Sequence, residues 1–161
     1  MVGVGLQEAE MERVFVSTLA RPYAFQAPVP GREFAAWILS HDRTQTAAER
    51  DKIATDLVAS GCRYAVCSGY ESSKWDDAVD LAFLDTSPDF NPPDEKFVMT
   101  SWHDQESLRE VAQFFVLNTS FDFFKPAAFV IVAVGEDAGT REAERLVREL
   151  LQSNKTIEPT R

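Results

Sequence analysis

The sequence predicts a single α/β domain in which four successive strand–helix units build a small, mainly parallel sheet. Three observations carry this expectation. Four short apolar runs, Phe34 to Ser40, Arg63 to Ser68, Lys96 to Trp102 and Ala127 to Val134, have the length and composition of buried strands. Each is followed by a segment whose apolar residues return at helical spacing. Two of those segments open with a capping box, Thr46 with Glu49 and Ser107 with Glu110. Alternation of this kind calls for right-handed crossovers, hence a flavodoxin-like or Rossmann-like architecture in three layers. The expected sheet has four strands in the order 2-1-3-4.

The elements follow in order. Residues 1–32 read as a lead-in packed on the domain, with a short helix over Ala9 to Leu19 and then the punctuation of Arg21-Pro22 and Pro28 to Gly31. An added edge strand from this N-terminal segment is the second reading. The α/β domain proper occupies residues 33–153. Its first helix carries Ile53 and Leu57 on one face and stops at Gly61; the next runs from about Ser73 with Trp75, Val79, Ala82 and Phe83 together. Pro88, Pro92 and Pro93 make Thr86 to Glu95 a loop. The third helix sets Leu108, Val111, Ala112 and Phe115 on one side, and Phe121 to Pro126 is an aromatic turn that plugs the core. The last helix spans roughly Thr140 to Gln152, and residues 154–161 are expected to fray.

Composition bounds the function. The chain has 161 residues, 45% of them hydrophobic, which suits one domain with a real core. No apolar run approaches the roughly 20 residues that cross a bilayer, and the acidic N-terminus lacks the pattern of a secretory signal. Cys62 and Cys67, five apart on one strand, stand about 16 Å from each other, too far to bridge, so they are expected as reduced thiols in the cytoplasm. The formal charge is -10, and between Glu71 and Glu110 eleven acids face three bases. An acidic field repels phosphate backbones and anionic headgroups, which argues against nucleic acid and membrane as partners.

In an open sheet of the expected order, ligands bind at the strand carboxyl ends between the first and third strands. Both histidines fall there, each beside a carboxylate, as His41-Asp42 and His103-Asp104. Were they to converge, His41 and His103 with Asp42 or Asp104 would suit a divalent metal and a small metal-dependent hydrolase or other enzyme. Cys67, ending the second strand, is the candidate nucleophile of that alternative. No Gly-x-Gly-x-x-Gly, P-loop or nucleophile-elbow pattern occurs, and no cofactor is expected.

The leading expectation is a non-catalytic interaction protein. Trp75 stands beside Asp76 and Asp77, with Asp80 and Asp85 following, a pattern that resembles an aromatic hot spot ringed by acids. Such a surface fits a basic protein partner. Bacterial immunity proteins, which neutralise toxins by charge complementarity, are the functional class that corresponds to it.

Overall fold

The computed structural model describes residues 13–157. Residues 1–12 and 158–161 lie outside the described residues, and with them the start of the expected N-terminal helix and the end of the tail. The elements run β1 (Val14–Leu19), β2 (Phe34–Ser40), α1 (Ala47–Ser60), β3 (Cys62–Gly69), α2 (Ser72–Leu84), a 3-10 turn (Asp94–Lys96), β4 (Met99–His103), α3 (Leu108–Leu117), β5 (Ala128–Val134) and α4 (Gly139–Ile157).

The class is α/β with a parallel sheet, as expected, but the sheet has five strands rather than four. Their order is β1-β5-β2-β3-β4, and every pairing is parallel. The fifth strand is β1, which occupies the second half of the expected helix Ala9 to Leu19. Its sequence, Val-Phe-Val-Ser-Thr-Leu, is rich in β-branched residues, which fit a pleated surface better than a helix. It pairs with β5 from Val14 opposite Phe129 to Leu19 opposite Val134.

The expected order 2-1-3-4 is also corrected. It would place the third predicted strand beside the first, whereas β4 lies at the far edge, paired only with β3. Composition explains the sorting. All seven residues of β2 and of β5 are buried, so these two take the centre, while β4 carries Thr100 and Ser101 and buries only His103. A strand of that polarity is stable only where one side meets water.

Alternate strand residues feed two hydrophobic clusters, as the two-residue period of a strand requires. Phe34, Ala36 and Ile38 of β2 join Ile53 and Leu57 of α1 and Trp75 and Val79 of α2. Ala35, Trp37 and Leu39 join Val111 and Phe115 of α3 and Leu146 and Val147 of α4.

The predicted helix signals are realised in detail. Thr46 and Ser107 each accept from the backbone N–H three residues on, and Glu49 and Glu110 each accept in return from the cap N–H. Gly61 closes α1 with φ 110°, donating to Leu57 and Val58, and a side chain there would come within 2.8 Å of the Arg32 carbonyl. α4 continues to Ile157, so residues 154–157, expected as part of a frayed tail, are helical. The aromatic turn plugs the core through Phe124, with Phe121 half-buried against the same cluster, while Phe123 is fully exposed. Among the described residues no helix is long and apolar enough to cross a membrane.

Candidate functional site

The winding fixes where a ligand cleft forms. From β2 the chain steps outward through β3 to β4, then returns past both to place β5 on the other side of β2. The switch point is therefore between β2 and β5, not between the first and third predicted strands. A cleft of about 390 Å³ opens there, lined by Leu19, Ala20, Arg21, Tyr23, His41, Asp42, Gly135 and Glu136.

Asp42 organises this cleft. It accepts from the Tyr23 hydroxyl at 2.6 Å and from both the amide and the hydroxyl of Thr44, and it lies 3.0 Å from Arg21. The Thr44 hydroxyl first, then the Tyr23 hydroxyl and the Thr44 amide, hold its carboxyl down to about 2. Arg21 also binds Glu49 and the Thr44 carbonyl, so its fork is taken up within the protein. Gly135, with φ 94°, lets the β5 loop pass Asp42; a Cβ there would stand 3.3 Å from the Asp42 Cβ. His41 Nε2 lies 3.2 Å from the Thr140 hydroxyl, and burial lowers its pKa despite the opposing charge of Asp137.

His103 and Asp104 are elsewhere. The strand β3 lies between β2 and β4, which separates the two His-Asp loops by two strand spacings, about 10 Å. His103 is buried, with Nε2 2.9 Å from the Ser101 hydroxyl, Nδ1 3.1 Å from Glu106 and its ring against Phe114. Asp104 is exposed. No residue is shared between the partners of His41 and those of His103. Cys67 is fully buried, and burial raises its thiol well above the ordinary range, which disfavours the thiolate that nucleophilic attack requires. Both cysteines are free, as expected.

The acidic surface lies along α2 and the β4 edge. Asp76, Asp77 and Asp80 bring carboxylate oxygens within 4.8 Å of one another, and they are the one group of three or more His, Cys, Asp or Glu residues so placed among the described residues. The Thr100 hydroxyl of β4 reaches Oδ1 of Asp76 at 3.0 Å and of Asp80 at 2.9 Å. Burial, with the charges of Asp80 and Asp77 behind it, raises the Asp76 pKa. Asp85 is exposed at the end of the helix.

Trp75 does not belong to that surface. It is fully buried, and its indole N–H donates to the Ser40 hydroxyl at 3.0 Å. The helical spacing that joins Trp75 to Val79 and Ala82 turns it inward, while Asp77 is exposed and Asp76 is half-buried against Thr100 of β4. The exposed tryptophan is Trp102, at 53%. It shares a strand face with Thr100, two residues away, whose hydroxyl contacts Asp76 and Asp80. Leu81, Phe90 and Phe97 are exposed in the same stretch of chain.

The family described as Domain of unknown function (DUF7684) matches residues 14–150. The chain belongs to this family. No curated protein and no solved structure matches it. In this DUF7684 member the matched region begins at the first residue of β1, so the strand-end cleft and the β4 edge both lie within the family's domain.

Two sets of residues of this DUF7684 domain escape a reading by motif. Arg21 and Tyr23 reach Asp42 only because β1 adds to the sheet beside β5, a pairing with no local signature. Trp102 was legible in principle: Thr100 and Ser101 interrupt the apolar run before it, the mark of an edge strand whose side chains meet water.

Proposed function

We propose that this protein is a non-catalytic binding module whose acidic α2 and β4 face receives a basic protein partner. The observation that carries the reading is Trp102, half exposed on the edge strand and on the same strand face as Thr100, whose hydroxyl contacts Asp76 and Asp80. A large aromatic anchor next to concentrated charge combines apolar contact area with electrostatic steering, and Asp85 extends the negative field along the helix. The separation of the two His-Asp loops supports binding over chemistry shared between them. Toxin neutralisation of the immunity-protein kind is the biological setting we assign to it, with a basic toxin as the partner. Two buried reduced thiols favour the cytoplasm as its location.

The test is affinity capture at low ionic strength with three baits of defined charge. The wild type is compared with Asp76→Asn/Asp77→Asn/Asp80→Asn and with Glu142→Gln/Glu144→Gln/Glu149→Gln, which removes the same charge from α4. A basic polypeptide retained by the wild type and the α4 variant but lost from the α2 variant is the expected result. Equal retention by all three, or no basic polypeptide on any, overturns the reading.

A further inference from the structure

The hydrogen-bond register says how such a partner would be held. The Phe34 N–H donates to the Gly61 carbonyl and the Tyr70 N–H to the Ser40 carbonyl, so the even-numbered residues of β2 turn their backbone groups toward β3. In a parallel pair, a residue's N–H and C=O point to the same neighbour, and the residues it bonds are those flanking its opposite number. With Ala36 opposite Ala65, beyond the register shift that follows Phe34, Tyr64, Val66 and Ser68 face β2, and Ala65 and Cys67 face β4. Ala65 stands opposite Thr100 and Cys67 opposite Trp102, so Met99, Ser101 and His103 complete the ladder with β3. Thr100 and Trp102 therefore direct their N–H and C=O groups away from the sheet, where no further strand lies among the described residues.

Both unpaired residues are those whose side chains stand on the acidic face. An extended segment added at this edge would lie about 4.8 Å from β4, with alternate side chains beside Thr100 and Trp102. A lysine or arginine at those positions lies within reach of the Asp76 and Asp80 carboxylates that Thr100 already contacts. A second copy of this chain is the other natural occupant of an open edge. It would bring the same acids face to face on a chain of formal charge -10, and like charges so placed oppose pairing.

We infer that the partner docks by β-augmentation, adding an extended basic segment to β4 through the outward backbone groups of Thr100 and Trp102. Main-chain bonds supply affinity, and the alternation of basic residues supplies recognition. This rests on the acidic-face reading above.

The experiment uses the full chain, labelled with nitrogen-15, and two short synthetic peptides of alternating Lys and Val. One has an ordinary backbone; the other is N-methylated at successive central residues, which preserves its charge while blocking both edges. Amide exchange and chemical shifts are followed by NMR at low ionic strength. The Thr100 and Trp102 amides are expected to exchange freely alone and to slow at least about tenfold with the ordinary peptide. The methylated peptide is expected to bind at least about tenfold more weakly. If both peptides bind equally, lose binding with Asp76→Asn/Asp77→Asn/Asp80→Asn and leave those amides unprotected, augmentation is wrong while the acidic-face reading stands. If neither peptide binds, both fail. Protection of the same amides in the free protein that grows with its concentration would make the occupant a second copy and overturn the inference.

Discussion

The Thr100 hydroxyl on β4 lies 3.0 Å from Asp76 Oδ1 on α2. Asp80 Oδ1 is 2.9 Å away from the same hydroxyl, so one proton serves two carboxylates. Thr100→Val keeps the shape and deletes that proton. It is expected to cost about 1 kcal/mol at neutral pH. Because the Thr100 bond lowers an Asp76 pKa that burial and neighbouring acids raise, the cost should shrink in acid. The sign for Asp76 itself follows: a raised carboxyl favours the folded state below its unfolded value, and that contribution is lost as pH rises through the folded value. Asp76→Asn should therefore gain stability relative to the wild type as pH increases from about 4 toward 7, which urea denaturation at both ends measures.

Tyr23 and Asp42 form the second titrating pair. Burial, followed by the hydrogen bond to Asp42, pushes the Tyr23 hydroxyl up to about 12. An ultraviolet titration should show one tyrosine ionising near that value and returning toward about 10 in Asp42→Asn. Tyr23→Phe should cost about 1.5 kcal/mol at neutral pH, as for a hydrogen bond to a charged group. The Asp42 contribution is present above an unfolded carboxyl value of about 4 and disappears as pH falls toward about 2, so the cost should fade there.

The three tryptophans divide into two classes. Trp37 and Trp75 are fully buried, and Trp102 is half exposed. Caesium should quench one class of fluorescence more strongly than iodide does, because the acids around Trp102 attract the cation and repel the anion. Trp102→Ala should alter stability by no more than about 0.5 kcal/mol. Trp75→Ala should cost about 3–5 kcal/mol, since it opens a cavity and strips the Ser40 hydroxyl of a donor.

Cys62 and Cys67 should not react with a thiol reagent in the native protein. Burial raises the Cys62 thiol to about 12 and Cys67 well above its ordinary range. Two equivalents of reaction on denaturation, and none before it, is the expected result.

These residues also mark how far the sequence could be read. Elements with local causes were legible: the capping boxes at Thr46 and Ser107, the stop at Gly61 and the continuous apolar runs of β2 and β5 all follow from neighbours in the chain. Strand order was not, because it depends on which faces are covered. The expected order 2-1-3-4 put the run ending at Trp102 inside the sheet, and only the polarity of Thr100 and Ser101 hinted at the edge. β1 was legible only as the second of two readings of the N-terminal segment, because the β-branched content that favours a strand there is a weak local signal. At the site, sequence adjacency misled. Trp75 neighbours Asp76 and Asp77 in the chain yet is fully buried, whereas the exposed Trp102 shares a strand face with Thr100, which contacts Asp76 and Asp80.

Isothermal titration of the alternating Lys-Val peptide into the wild type and the two charge-matched triple variants decides whether the face formed by α2 and β4 receives a basic segment. Binding at least about tenfold weaker is expected for Asp76→Asn/Asp77→Asn/Asp80→Asn. Glu142→Gln/Glu144→Gln/Glu149→Gln should stay within about twofold of the wild type, because surface charges more than a Debye length away are screened. Equal weakening of both variants would show that net charge, not the face formed by α2 and Trp102, attracts the peptide, and would contradict the account.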